Sequence, residues 1–324
     1  MKPDGPPPPA AQARGLDLSD LDHVTPEEIA AFREHYTRLH GRPHAGFDFF
    51  LASNPSAVKR YRLFAAQTAI PFGEWLTLTA TNFANIAWYA RMGYAEGIRY
   101  IVHIQQSSGG SSPAEVAEGL AISFYHAGPQ GAEVIAAALR DYPWREPEKQ
   151  EEPAGLSGRA VGRELLASGL DFHDPRMRPG ELARLEDWYR NAIGEVPGYV
   201  RFLGKHRPEV LKAWRNRYEH LVSTLPVQLL PLASIKINTY SCTAELVREN
   251  VLLARYLGVS KEDTLMTAIS GLLYGQMEAA AMLEAAAGDV FDHWDRPAGA
   301  GTNGAGASPV GTGEGGTGDA GAAR

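Results

Sequence analysis

The stretch EGIRYIVHIQQSSGGSSPAEV, residues 96–116, predicts one helix, a break and a second helix. Glu96, Arg99 and His103 stand at spacings i, i+3 and i+7, which places their side chains on one face of a helix. A Gly-Gly pair then interrupts the pattern. The next residues, Ser112 to Glu115, combine a serine N-cap, proline at the first helical position and an acid at the third. The stretch therefore predicts consecutive helices, one of which carries a polar face.

Similar signals along the chain predict an all-α fold. Thr25 to Glu28 and Ser260 to Asp263 also join an N-cap residue to acidic side chains in the first helical turn. The segments that follow Ser112 and Ser260 are apolar nearly all round and rich in Ala and Gly, which is typical of buried helices. Only LTLTATNF, residues 76–83, shows the alternation of a strand.

Two halves of the sequence resemble each other, which predicts a tandem repeat. PSAVKRYR (55–62) matches PEVLKAWR (208–215) at an offset of 153 residues, with proline, lysine and arginine identical. TPEEIA (25–30) matches RPGELA (178–183) at the same offset. Gly110 matches Gly258 at an offset of 148. We therefore expect two copies of one helical unit, at 25–143 and 178–293.

The remaining segments are predicted from composition. Residues 1–24 are proline-rich and residues 294–324 consist mostly of small residues, so neither can bury enough apolar surface to offset its ordering entropy. We predict that both are disordered. Residues 144–177, which begin with a charged, proline-containing stretch, are predicted to be a linker.

Charge and composition exclude several functional classes. A net charge of −7 argues against nucleic acid or an anionic membrane as partner, since both require clustered positive charge. The sequence has no apolar run long enough to span a membrane and no signal peptide pattern, so a cytoplasmic location is expected. Its single cysteine and the lack of metal-ligand spacing predict no bound metal. Glycine-rich phosphate loops are absent as well, and no cofactor is expected.

The repeated segments resemble the carboxymuconolactone decarboxylase and alkylhydroperoxidase D-like superfamily. The resemblance lies in the two proline-led segments and in the polar-faced helices with their Gly-Ser or Gly-x-Ser break and capped successor, and it covers both repeats. It implies two helical units packed together, a small-molecule substrate and assembly into a homo-oligomer. The peroxidase branch of this superfamily carries Cys-x-x-Cys-x-x-x-His on the polar-faced helix, where a thiolate, a resolving thiol and a base act together.

This chain departs from the peroxidase pattern in both repeats. The first repeat has Glu96, Arg99 and His103 at that spacing. The second repeat has Cys242, Glu245 and Glu249, or, counted back from Gly258, a register at Thr243, Leu246 and Asn250; the sequence does not choose between them. Neither register supplies two thiols. A peroxidase-like activity would have to use Cys242 with an external thiol.

The decarboxylase branch is the better match, and it implies acid–base chemistry on a small carboxylated or carbonyl-bearing molecule. Under this interpretation His103 is the general base, Arg99 holds a carboxylate through two hydrogen bonds, and Glu96 orients Arg99 or transfers a proton. The corresponding candidates in the second repeat follow. Catalytic roles are assigned to Glu249 and Cys242, and substrate-binding roles to Glu245 and Asn250. The competing interpretation is a non-catalytic scaffold in which Glu96 and Arg99 form a surface ion pair and His103 packs in the core.

Overall fold

The computed structural model describes residues 14–40, 45–68, 75–107, 111–144 and 163–295, and every regular element in these ranges is helical. The predicted all-α class is therefore confirmed. The ends of the chain, 1–13 and 296–324, and the middle of the predicted linker lie outside the described residues. The helices are, in chain order, α1 (Pro26–His40), α2 (Ala45–Ser53), α3 (Pro55–Gln67), α4 (Trp75–Arg91), α5 (Ala95–Ser107), α6 (Pro113–Leu139), α7 (Arg163–Leu166), α8 (Glu181–Ile193), α9 (Gly198–His206), α10 (Pro208–Glu219), α11 (Leu229–Tyr240), α12 (Ala244–Tyr256), α13 (Lys261–Ser270) and α14 (Leu272–Asp292).

The predicted helix starts are formed by the expected hydrogen bonds. The Ser112 hydroxyl accepts from the Glu115 amide, and the Glu115 carboxylate accepts from the Ser112 amide at 2.8 Å, which is a complete capping box at the start of α6. Thr25 and Glu28 make the same pair of bonds before α1. These bonds satisfy amides that the first turn of a helix leaves without intrahelical partners.

The alternating segment LTLTATNF belongs to helix α4 rather than to a strand. Helix α4 packs against α5, α6 and α11, so residues on several of its faces are buried. Thr77, Thr79 and Thr81 are buried together with the apolar residues between them. Alternation of threonine with apolar residues was misleading here because this helix is covered nearly all round, so that polarity does not mark an exposed face.

Residues 14–24, predicted to be disordered, pack against the helices of the first half. Leu16 is buried and belongs to a small core with Phe32, Tyr36, Leu51 and Val58. The Lys59 ammonium also donates to the carbonyls of two residues of this segment, at 2.8 and 2.6 Å. The prediction for 14–24 was therefore wrong: a few well-placed side chains anchor a segment whose average composition is poor in apolar residues.

The two halves of the chain contain helices in the same order. Helices α1–α6 and α8–α14 follow one another with similar lengths, except that the last helix of the first half corresponds to two helices, α13 and α14. In each half the fourth helix packs on the fifth and the final pair, and the first helix packs on the fifth. A tandem repeat requires this agreement; the repeat itself stays a prediction.

Side-chain contacts agree at matched positions. Lys59 and Lys212, 153 residues apart, are both buried and pair with Glu28 and Glu181 at 2.7 and 2.8 Å. The final helices also break at matched places, since Gly128 in α6 and Gln276 in α14 both have positive φ, 76° and 54°. These pairs are used below to compare the halves.

The halves meet where α4 packs against α11. Ala84 and Ala87 of α4 form a buried cluster with Ile237 and Tyr240 of α11. The small alanine side chains allow the two helices to approach closely. Within the described residues, no helix combines the length and the apolar character that crossing a membrane requires.

Candidate functional site

The polar face predicted on α5 does not line the main cavity of the protein. Arg99 is exposed, and its guanidinium donates to the Ala138 carbonyl at 2.8 Å and lies 5.8 Å from the centre of the Tyr142 ring. Glu96 is exposed and His103 is half-buried. All three lie outside the set of cavity-lining residues described below. The lining residues of α5 instead occupy its adjacent face.

The candidates of the second half are separated from one another. Cys242 is exposed and precedes α12, in a backbone conformation with φ of 51°. Glu245 is exposed and its carboxylate accepts from the Gly198 amide. Asn250 is buried and donates to the Leu246 carbonyl at 2.7 Å, a bond within its own helix. Only Glu249 lies in a buried polar cluster, where it accepts from the Tyr199 hydroxyl at 2.8 Å.

The helix starts define a register that differs from both registers considered from the sequence. The amides of Tyr94 and Thr243 donate to the carbonyls five residues before them, at 2.8 and 2.9 Å, and α5 and α12 begin at the next residue. Arg99 and Arg248, 149 residues apart, both donate to a carbonyl of the final helix of their half. In this register Glu96 corresponds to Glu245. The offset falls to 148 at the following glycine, so counting back from Gly258 shifts the match by one residue.

A cavity of about 650 Å³ lies among the helices of the first half and is closed by residues of the second half. Its wall is mainly aromatic and apolar. The aromatic lining residues are Tyr36, Phe47, Phe50, Tyr61, Tyr89, Tyr94, Tyr100 and Tyr274. The second half contributes Lys236 of α11, Ser270 of α13, and Leu273 and Tyr274 of α14. A pocket of this size, with an apolar wall and a few polar groups, is the usual form of a small-molecule site.

The charged residues that line this cavity are all cationic. They are Arg14, Arg62 and Lys236, and no aspartate or glutamate belongs to the lining set. Arg14 donates to the hydroxyl of Tyr36 and, at 3.4 Å, to that of Tyr100. Burial and the neighbouring Arg14 lower the pKa of Arg62 to about 10. The cavity therefore has a positive potential at its arginine end.

The nearby His35 reports the same potential from outside the cavity. Burial and the charges of Arg14, Arg38 and Arg62 lower the pKa of its imidazole to about 4. Its imidazole is therefore neutral at pH 7 and does not add to the positive charge. The guanidinium pair remains the dominant charge of this region.

Lys236 provides a buried amine at another part of the cavity wall. Its side chain is only 2% exposed, and burial lowers its pKa to about 7. No charged group contributes to this shift, which indicates that Lys236 lies apart from the two arginines. The ammonium nitrogen lies 5.9 Å from the centre of the Tyr274 ring. It makes no hydrogen bond or ion pair with the described residues.

Fixed polar groups complete the wall near the lysine. The hydroxyls of Tyr89 and Tyr274 are hydrogen-bonded at 3.0 Å, and the Trp88 ring stacks on that of Tyr274. Burial raises the pKa values of both tyrosines, so both hydroxyls stay protonated at neutral pH. Two further lining atoms, Thr81 Oγ1 and Asn85 Oδ1, are buried without a hydrogen-bond partner among the described residues. Such atoms are uncommon in folded proteins and are available to a bound molecule.

The Asn82 side chain in the same wall is held by a buried network. Its amide donates to Gln105 Oε1 at 2.9 Å, and Gln105 in turn donates to Thr79 at 3.0 Å and to Ser111 at 2.7 Å. Because Gln105 and Ser111 belong to α5 and to the turn after it, the network fixes α4 against these segments. The Gly-Ser break noted in the sequence thus supports one wall of the cavity.

The corresponding place in the second half is filled by larger side chains. Ala65 corresponds to Tyr218, and the Tyr218 ring stacks on Trp214 with centres 5.3 Å apart. Tyr189 and Tyr199 join hydroxyls at 2.8 Å, and Tyr199 reaches Glu249. Burial raises the pKa of Glu249 to about 7, although Tyr199 and Arg215 act in the opposite direction.

Comparison with protein families, curated proteins and solved structures finds no match to this chain. The superfamily resemblance inferred from the sequence stays a prediction. Within the described residues, no three His, Cys, Asp or Glu side chains are grouped so that they could hold a metal ion.

Sequence reasoning missed the cationic residues of the cavity. Lys236 is the single charged residue in the helical segment LLPLASIKINTY, and a lone lysine in an apolar helix is a signal that could have identified it. Arg62 was quoted for the repeat but was given no role. Arg14 stands in a segment whose composition predicted disorder, and nothing in the sequence indicated its contact with Tyr36.

Proposed function

We propose that this protein is an enzyme that binds a small carboxylated, carbonyl-bearing molecule in the cavity and performs cofactor-free acid–base chemistry on it. This is the class of reaction implied by the decarboxylase-like resemblance, namely decarboxylation or isomerisation. The observation that carries the proposal is the charge of the cavity: three cationic side chains line a largely aromatic wall that includes no carboxylate. An apolar body with a negative end fits this arrangement.

In this proposal the two ends of the cavity have different tasks. The arginine end binds the carboxylate, because guanidinium groups match a carboxylate in charge and in hydrogen-bond geometry. The aromatic wall covers the body of the ligand. Lys236, whose pKa lies near neutrality, accepts or returns a proton at the carbon next to the carbonyl group. This assignment replaces His103 and Glu96, which lie outside the cavity-lining set.

The two alternative functions have less support. A peroxidase that uses Cys242 would need a thiol near a pocket, whereas Cys242 is exposed and is not among the lining residues. A scaffold or binding protein needs no cavity with buried cations. It remains the interpretation to adopt if the cavity binds anions but no reaction follows.

Two measurements test the proposal. Thermal shifts with 4-methylbenzoate and with the uncharged 4-methylbenzyl alcohol separate an anion site from an apolar one. We expect stabilisation by the carboxylate alone, and its loss in Arg62→Met. Catalysis is tested by nuclear magnetic resonance in D2O with 4-oxopentanoate, a carboxylated ketone. Faster deuterium exchange next to the ketone is expected for the wild type and not for Lys236→Met. Equal shifts for the two compounds would overturn the anion site.

A further inference from the structure

Buried lysines occur in two kinds of surroundings in this protein. Lys59 and Lys212 lie at matched positions in α3 and α10, and each pairs with a glutamate and donates to at least one backbone carbonyl. Lys236 is buried to a similar degree, at 2% exposure, but has no acid and no hydrogen-bond acceptor among the described residues. Its amine belongs to the wall of the cavity. The first two lysines tie helices to the chain around them, whereas the third is left for a ligand.

The surroundings of Lys236 favour a neutral amine. An ammonium group without a partner is costly in an apolar site, and the usual response is a shift of its pKa and loss of the proton. A neutral amine has a free electron pair and is a nucleophile toward carbonyl carbon. The nearest ring is that of Tyr274, whose hydroxyl is tied to Tyr89. These two hydroxyls are protonated donors in the same wall.

We propose that Lys236 forms an imine with the carbonyl carbon of the bound molecule, so that the substrates of this site are oxo acids. The proposal rests on the proposed function for its ligand class. The amine electron pair attacks the carbonyl carbon and the C=O π pair moves to oxygen. A proton moves from nitrogen to that oxygen, which gives a carbinolamine. A second proton then releases the oxygen as water while C=N forms. No oxidant or reductant is needed, and water reverses the step.

The imine explains how a site without a cofactor can promote the proposed chemistry. A protonated imine withdraws electrons from the neighbouring carbon more strongly than the parent carbonyl does. Loss of a proton or of carbon dioxide from the neighbouring carbon then becomes easier, because the electron pair left behind is delocalised onto nitrogen. The amine acts first as nucleophile and then as electron acceptor. An alternative general base is not required to generate the reactive group.

Reductive trapping tests this inference on the full chain. The protein is incubated with 4-carboxybenzaldehyde and sodium cyanoborohydride, and modified lysines are located by peptide mass spectrometry. An imine that is reduced adds the mass of the aldehyde less one oxygen atom. We expect labelling of Lys236 to be about tenfold faster or more than labelling of the exposed Lys205 and Lys261, whose ordinary pKa near 10.4 leaves few neutral amines at pH 7. Lys59 and Lys212 serve as buried internal controls and should stay unlabelled.

A variant and a competitor separate the imine from the anion site. Lys236→Arg keeps a cation and cannot form an imine, so the fast labelling should disappear. Preincubation with 4-methylbenzoate, which has no aldehyde, should protect Lys236 from 4-carboxybenzaldehyde. The wild-type peptide map remains decisive even if Lys236→Arg fails to fold.

The outcomes distinguish the two proposals. If 4-methylbenzoate stabilises the protein through Arg62 and Lys236 stays unlabelled, the imine is overturned while the anion site stands. If benzaldehyde and 4-carboxybenzaldehyde label Lys236 equally and 4-methylbenzoate gives no protection, the imine stands and the carboxylate specificity fails. Labelling that is uniform over exposed lysines would overturn the inference.

Discussion

The two halves of this protein place similar helices around very different interiors. In the first half the helices surround a cavity of about 650 Å³, with Ala65 and Tyr100 in its wall. At the corresponding positions the second half has Tyr218 and Glu249, and its aromatic rings stack on one another. Large side chains thus close in one half what a small side chain leaves open in the other. The comparison indicates that the first half supplies the binding site and the second half supplies packing and one wall.

The matched arginines illustrate the same division. Arg215 lies 3.8 Å from the centre of the Trp188 ring, and its guanidinium donates to Glu219 at 2.7 Å and to the Leu166 carbonyl. Arg62 lines the cavity and lies close enough to Arg14 for that charge to lower its pKa. One arginine is enclosed by partners that neutralise and cover it, whereas the other stands next to a like charge. An anion in the cavity would relieve that repulsion.

The largest effect is expected from opening the filled half. Tyr218→Ala should destabilise the protein by about 3 to 5 kcal/mol, the usual cost of removing a buried aromatic side chain. Urea unfolding followed by circular dichroism measures this change. The control is Tyr61→Ala in the first half, where the ring is 42% exposed and the cost should be about 1 kcal/mol. Equal costs for the two variants would contradict the difference in packing.

The next effect is expected from closing the open half. Ala65→Tyr introduces into α3 the residue type found at the matched position of α10, and its ring would occupy the cavity. We expect the affinity for 4-methylbenzoate to fall about a hundredfold, or about 2.7 kcal/mol. Stability should not fall, because the cavity already provides the volume.

Calorimetric titration of Ala65→Tyr, with Ala65→Ser as the matched control, measures this loss. Serine is small enough to leave the cavity open, so Ala65→Ser should keep most of the affinity. Unchanged binding in Ala65→Tyr would show that the anion binds elsewhere.

The sequence predicted the helical class and most helix starts because these depend on local chemistry. Capping residues, N-terminal prolines and apolar segments act within a few residues, as Ser112 and Ser260 illustrate. The candidate site could not be predicted in this way. Arg14 and Lys236 are far apart in the chain and reach one cavity only through the packing of α4 against α11. Spacing along α5 indicated a polar face but not which face the cavity would use.

The cavity lysine should give the protein a distinctive pH dependence of stability. Its pKa is about 7 in the folded state and about 10.4 in an unfolded chain. Between these values the unfolded chain binds one more proton, so stability rises with pH by up to about 1.4 kcal/mol per pH unit. Lys236→Met removes this slope and should be more stable than the wild type below pH 7. Urea unfolding from pH 6 to pH 10 measures both slopes.

The matched control for the lysine has the opposite sign. Lys212→Met leaves the Glu181 carboxylate buried without its ammonium partner, and loses about 3 kcal/mol or more at pH 7. Stabilisation by Lys212→Met, or destabilisation by Lys236→Met at pH 6, would contradict the distinction between paired and unpaired lysines.

The carboxyl group in the filled half should produce a slope of the opposite sign. Glu249 has a pKa of about 7 in the fold and about 4.3 when unfolded, so the folded chain binds the extra proton between these values. Stability should fall by up to about 1.4 kcal/mol per pH unit as pH rises through this window. Glu249→Gln still accepts from Tyr199 and should abolish the fall. Tyr199→Phe removes a bond that lowers this pKa and should shift the end of the fall to higher pH.

The smallest effect concerns the break in the final helix of each half. Gln276 has a φ of 54°, where residues with a Cβ atom are strained, whereas the first half has Gly128 at the matched position with a φ of 76°. Gln276→Gly should therefore stabilise the protein by about 1 kcal/mol. Gly128→Ala should cost a similar amount, through backbone strain alone, because a Cβ atom there would meet nothing within 4 Å. Thermal unfolding of both variants measures the pair. A loss of stability in Gln276→Gly would indicate that the glutamine side chain, which donates to the Leu273 carbonyl at 3.1 Å, holds the break more firmly than glycine can.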